Sequence, residues 1–153
     1  MTARSLGGVA QPVQPALERG RAPLVLIVDD VEENRVVYRG YLERAGYRVA
    51  EATDGLRGLV LARDLSPAII LMDLAMPDLD GWEATRLLKS DPATNNIGII
   101  ALSAFHEPAA RRKAREAGAD YFIPKPCLAS ELALHVSECI RIGATQGRAP
   151  VQM

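Results

Sequence analysis

The sequence predicts an α/β protein, a doubly wound parallel sheet built from consecutive βα units. Three observations carry this expectation. Short apolar or β-branched runs alternate along the chain with amphipathic helical patterns. Several of those runs are apolar on both faces, as parallel strands buried between two helix layers must be. Glycines punctuate the pattern where helices should end: Gly46 closes the first and Gly118 the fourth, each where a left-handed residue is expected.

Residues Met1–Ala22 contain Gly7, Gly8, Pro12, Pro15 and Gly20 with few large apolar side chains. Such a segment buries too little surface to offset its ordering entropy, so residues 1–22 are expected to form a flexible tail. The first strand is expected at Leu24–Val28, and Val37, Tyr41, Leu42 and Ala45 form one face of the helix that follows. The remaining strands are expected at Arg48–Glu51, Ala68–Met72, Ile97–Leu102 and Tyr121–Ile123. The last helix presents Leu132, Val136, Cys139 and Ile140 on one face. Gly40 and Gly58 fall inside helical patterns, where each costs roughly 1 kcal/mol relative to alanine. The domain is expected over residues 23–142, with a second flexible tail over 143–153.

Composition narrows the function class. The 153 residues suit one domain with one core, and 48% hydrophobic with 24% charged residues is ordinary for a soluble globular protein. A formal net charge of −1 provides no field that would draw nucleic acid or an anionic membrane. Cys127 and Cys139 lie in no CxxC or Cys/His cluster and read as reduced thiols of a cytoplasmic protein. The N-terminus carries Arg4 but no apolar signal-peptide core, and the longest apolar runs are strand-sized.

The chemistry-bearing residues fall at the carboxyl ends of strands: Asp29 and Asp30 after the first, Asp73 after the third, Ser103 after the fourth and Lys125 after the fifth. In a doubly wound sheet, ligands bind at that edge. Three neighbouring carboxylates raise one another's pKa unless a cation sits among them. A donor set of hard oxygens, with no cysteine or histidine nearby, favours magnesium over a softer metal. Magnesium and a lysine can neutralise a transferring phosphoryl group, and an aspartate can accept it covalently. The pattern reads as metal-assisted phosphoryl transfer onto a carboxylate.

The segments LVLIVDD, IILMDLAMPDLDG, IIALSA and AGADYFIPKP, in this order and at this spacing, resemble the receiver domain of two-component response regulators, in the CheY-like superfamily. The resemblance implies a flavodoxin-like (βα)5 fold with strand order 2-1-3-4-5. It implies Asp73 as phosphoacceptor, Asp30 as a direct magnesium ligand, Asp29 acting mainly through water, and the backbone carbonyl of Ala75 as a further ligand. It also implies Ser103 as switch hydroxyl, Phe122 as an aromatic that rotates inward on activation, Lys125 as phosphoryl-binding cation, and Lys125–Pro126 as a cis peptide bond. A stand-alone receiver of the DivK-like or chemotaxis type is the expected function: a phosphoacceptor signalling domain rather than an enzyme acting on an external substrate. The expected partners are a histidine kinase or histidine phosphotransferase, and an output protein at the face of helix 4, strand 5 and helix 5. Neither nucleic acid nor membrane is expected to bind directly. Ala75 and Phe105, two residues after the acceptor and the switch hydroxyl, cannot hydrogen-bond an attacking water, so slow self-dephosphorylation is expected.

The same residues admit other readings. Asp29 and Asp30 can cap a helix, and Pro77, Asp78, Asp80 and Gly81 are turn formers. A haloacid-dehalogenase-type phosphatase would need a second acid where Ala75 stands, and a flavodoxin-like nucleotide binder would need a GxGxxG after the first strand. A receiver excised from a hybrid histidine kinase and a phosphate-independent interaction module are the remaining alternatives. His106 and His135 read as solvated, and Arg111, Arg112, Lys113 and Arg115 as a solvated helix face or a dock for an acidic partner.

Overall fold

A computed structural model describes residues 22–76, 79–105 and 107–146. Each expected apolar run is a strand: β1 (Leu24–Val28), β2 (Arg48–Ala52), β3 (Ile69–Asp73), β4 (Gly98–Ser103) and β5 (Tyr121–Pro124). They alternate with α1 (Glu32–Arg44), α2 (Gly55–Leu65), α3 (Gly81–Ser90), α4 (Pro108–Ala117) and α5 (Ala129–Gln146). All pairings are parallel, and the strand order is β2-β1-β3-β4-β5. The expected fold and strand order are therefore observed.

Alternation along the strands divides the core in two. Leu26, Val28, Ile70, Met72, Ile99 and Ala101 pack beneath α2, α3 and α4, with Ala62, Ala84, Leu88 and Ala114 from those helices. Val25, Ile27, Ile69, Leu71, Ile100 and Leu102 face the other way onto α1 and α5, meeting Tyr38, Leu42, Leu132 and Val136. Every residue of β3 is buried. Such a strand excludes water up to its last residue, and that residue is Asp73.

Local structure departs from the sequence reading at several points. In α1 the buried stripe is Tyr38 and Leu42, with Ala45 packed against it, whereas Val37 and Tyr41 remain 49% and 38% exposed. The expected face mixes two apolar stripes about 100° apart around the axis, and packing onto the sheet buries the side that holds Tyr38, Leu42 and Ala45 while leaving Val37 and Tyr41 outside. Strands β3 and β4 end one residue later than expected, so that Asp73 and Ser103 are strand residues. Helix α5 runs on through Gly143 to Gln146, into the segment expected to be a tail. Of the expected N-terminal tail only Ala22 lies among the described residues, and His106, Pro77 and Asp78 lie outside them.

Gly46 and Gly118 have positive φ, 103° and 107°, as expected of helix ends. Gly58 gains a reason the sequence withheld: a Cβ there would sit 3.0 and 3.1 Å from the two Val28 methyls, so this glycine lets α2 lie close on β1. Cys139 is buried and Cys127 half-buried, both as free thiols. Burial pushes the Cys139 thiol up to about 12.

Candidate metal and phosphoacceptor site

The parallel register brings the expected residues to one edge of the sheet. Asp73 ends β3 beside Leu102, and the backbone N–H of Leu74 donates to the Leu102 carbonyl at 3.0 Å. Ser103 ends β4 opposite Pro124, and Lys125 donates its backbone N–H to the Ser103 carbonyl at 2.7 Å. Asp29 leaves β1 with its backbone N–H donating to the Ala52 carbonyl at 3.1 Å. The Lys125–Pro126 peptide bond is cis.

One carboxylate oxygen from each of Asp29, Asp30 and Asp73 can be chosen so that all three lie within 4.8 Å of one another. Two oxygens on opposite sides of an octahedral magnesium ion stand about 4.2 Å apart. The three carboxylates thus suit, in donor type and in closeness, a hard divalent cation that keeps several of its waters. Among the described residues this is where acidic groups gather closely enough to hold a metal.

The three acids differ in environment. Asp73 is buried, with the Lys125 ammonium 3.2 Å from its Oδ1 and the Ala75 backbone N–H donating to the same oxygen at 3.4 Å. Burial pushes the Asp73 carboxyl above its ordinary value; Lys125 pulls it down, the charge of Asp29 pushes it up, and the net is a rise. Asp29 is buried as well, accepting from the Val31 N–H at 2.9 Å and the Asn34 amide at 3.2 Å, with Lys125 3.9 Å away. Asp30 is exposed. Neither Asp29 nor Asp30 caps α1: its N-cap is Val31, without a side-chain cap. Asp80 does cap a helix, accepting from the Glu83 N–H at the start of α3.

Gly81 allows α3 to begin against the acceptor. A Cβ at Gly81 would lie 2.2 Å from the Asp73 carbonyl oxygen and 2.6 Å from the Leu74 Cα, so only glycine fits.

The Ser103 hydroxyl is turned toward the β4–α4 connection. It accepts from the Phe105 N–H at 2.8 Å and donates to the Phe105 carbonyl at 3.2 Å. The Phe105 ring is 43% exposed and stacks on Trp82 at a centroid distance of 6.0 Å. Phe122 is buried in the core under α4, at 3% exposure. The basic run of α4 is only partly a solvated face. The Arg111 guanidinium lies 5.3 Å over the Phe122 ring and the Lys113 ammonium 4.1 Å over Trp82, as cation–π contacts.

The sequence reading missed the residues that brace this edge. Asn34 holds the Asp29 carboxylate, and the Arg35 guanidinium donates to the Asp29 carbonyl at 2.9 Å and pairs with Glu51. The available signal was position alone: both lie in the first turn of α1, directly after the Asp29–Asp30 pair.

This edge, on this sheet, is the architecture of a phosphoacceptor domain, and the chain belongs to the response regulator receiver domain family, which matches residues 25–137. Among curated relatives, the polar-differentiation response regulators DivK of Brucella anthropi and Brucella ovis are each 37% identical over 102 residues, covering 67% of this chain and 83% of theirs. The chemotaxis protein CheY4 of Vibrio cholerae superposes with a TM-score of 0.73 at 26% identity, covering 76% of this chain and 98% of that one. The receiver domain of a sensor histidine kinase from Pseudomonas aeruginosa, solved with a magnesium ion coordinated in its active-site cleft, superposes with a TM-score of 0.72 at 31% identity, covering 78% of this chain and 98% of that one. The chain is thus a two-component signalling receiver. Among the described residues, no helix is long and apolar enough to cross a membrane.

Proposed function

We propose that the chain is a stand-alone, cytoplasmic response regulator that takes a phosphoryl group on Asp73 with magnesium and signals by changing which protein it binds. The observation that carries this reading is the convergence of Asp29, Asp30 and Asp73 within one ion's reach, with Lys125 on the acceptor oxygen. Asp30, Asp73 and the Ala75 backbone carbonyl would hold the magnesium ion directly and Asp29 mainly through water; the ion would neutralise charge on the incoming phosphoryl group. Lys125 would pair with a second phosphoryl oxygen. Ser103 would exchange its two bonds to Phe105 for one to the phosphoryl group, which adds up to about two negative charges at that point. Release of the Phe105 backbone would then repack the β4–α4 connection, Phe122 and α4, shifting a pre-existing equilibrium between two states.

The phosphoryl donor would be a histidine kinase or histidine phosphotransferase. Val31, Val36, Val37 and Tyr41 leave an exposed apolar face on α1 and its approach, beside the acidic edge, suited to such a helical partner. The output protein would bind at α4, β5 and α5. The extent of the DivK match supports a single-domain regulator, and the similarity to a kinase receiver domain keeps an origin within a hybrid kinase as the second reading.

The test is labelling with acetyl phosphate and magnesium, read by intact mass. Wild type is expected to gain one phosphoryl group, and Asp73→Ala none. Equal labelling of the two proteins overturns the assignment.

A further inference from the structure

We propose that Arg35 is a positioning residue for the acidic pocket: it holds the peptide that joins Asp29 to Asp30 and so aims Asp30 at the acceptor, while Glu51 cancels its charge. The proposal rests on reading Asp30 as a direct magnesium ligand.

Asp29 is fixed through both its backbone and its side chain. Its N–H is bonded to Ala52, Oδ1 to the Val31 N–H and Oδ2 to Asn34. Asp30 differs: it is exposed, and none of the hydrogen bonds among the described residues reaches its carboxylate. Its direction therefore depends on the backbone that carries it. The relevant atom is the Asp29 carbonyl oxygen, because it lies in the plane of the Asp29–Asp30 peptide. Arg35 donates to that oxygen from Nη1 at 2.9 Å, while its Nε donates to Glu51 Oε1, also at 2.9 Å. Two donors of one rigid, planar fork thus tie the end of β1 to β2, and the Arg35 side chain is only 13% exposed.

Charge explains why Glu51 is part of the device. A bare guanidinium next to the pocket would repel a divalent cation. Glu51 pairs with Arg35 and also with Arg39 Nη1 at 2.5 Å, while Arg39 Nε pairs with Glu43 at 2.9 Å. Two arginines and two glutamates leave the brace neutral. Burial alone would push the Glu51 carboxyl up, but its bonds to Arg39 and Arg35 outweigh that and hold it below its ordinary value. Glu51 therefore stays charged at neutral pH. Residues that orient a metal ligand commonly contribute about 10–100-fold in metal affinity, without touching the metal.

The experiment is calorimetric titration of magnesium into the full chain, alongside urea unfolding in metal-free buffer. Arg35→Met is expected to weaken magnesium binding about tenfold while leaving a cooperative urea transition. Arg35→Lys keeps the charge but loses the rigid planar fork whose Nε and Nη1 hold carboxylate and carbonyl at a fixed spacing, so it is expected to bind no better than Arg35→Met. Glu51→Gln keeps the bond to the carbonyl but uncovers the charge, and is expected to weaken binding more at low than at high salt. Wild-type magnesium affinity in Arg35→Met, with magnesium binding lost in Asp30→Ala, overturns the role of Arg35 alone. Full recovery in Arg35→Lys overturns positioning in favour of a pure charge effect. Unchanged affinity in Asp30→Ala overturns the metal reading of Asp30 and this inference with it.

Discussion

Replacing Lys89 with methionine is expected to remove about 3–5 kcal/mol of folding stability while leaving phosphoryl acceptance intact. The Lys89 ammonium donates to Asp120 Oδ2 at 2.9 Å and to the Ile97 carbonyl at 2.8 Å, and the same Asp120 oxygen accepts the Ile99 N–H at 2.9 Å. The two side chains are 9% and 4% exposed, so water screens the pair little. Methionine keeps the apolar stem of Lys89, which lies against Gly118, and deletes the charge together with its bonds to Asp120 and the Ile97 carbonyl. Asp120 then stays buried while losing the Lys89 ammonium, the situation in which a buried pair costs most to break. A domain of this size has about 5–15 kcal/mol in total, so the loss should lower the melting temperature by roughly 10–20 °C. The assay is urea unfolding monitored by circular dichroism. Adding Asp120→Asn to Lys89→Met removes the stranded charge yet keeps an acceptor for the Ile99 N–H, and should recover at least about 1 kcal/mol. The pair sits at the amino-terminal edge of β4 and β5, across the sheet from Asp73, so labelling by acetyl phosphate should persist in whatever fraction is folded. A loss below about 1 kcal/mol, the size expected of an exposed pair, would refute the reasoning.

Two further outcomes follow from the site. The Asp73 carboxyl is raised in the folded chain, chiefly by burial, so the folded state holds that proton more tightly than the unfolded one. Asp73 should therefore cost stability increasingly as pH rises from the ordinary carboxylate value through its folded one. In chelator-treated buffer, Asp73→Asn is expected to melt above wild type at neutral pH, with the gap closing under acid conditions; a gap that does not change with pH contradicts the burial argument. The lifetime of the phosphorylated state should be long, because neither Ala75 nor the Phe105 ring offers a hydrogen bond to an attacking water. Ala75→Asn combined with Phe105→Glu is expected to speed decay of the labelled protein in magnesium buffer, and equal decay of wild type and double variant would show that these positions do not control it.

The sequence by itself determined the sheet and which acids, hydroxyl and lysine stand at its carboxyl edge. Those features are local: a strand buried on both faces must read as a continuous apolar run, and a polar residue that ends such a run must lie at the sheet edge. Asp29, Asp73, Ser103 and Lys125 were legible for that reason, as were the glycines that end α1 and α4. Only the tertiary structure decided the rest. Which of two apolar stripes on α1 faces the sheet depends on helix rotation, and Tyr38 rather than Val37 was selected. The need for Gly58 and Gly81 arises from Val28 side-chain methyls and the Asp73–Leu74 backbone approaching, in the folded chain, too closely for a Cβ. The Arg35–Glu51 brace, the stacking of Phe105 on Trp82 and the burial of Phe122 beneath Arg111 join residues far apart in the chain. No periodicity encodes such partners, because a long side chain has many solvated conformations and only packing chooses among them.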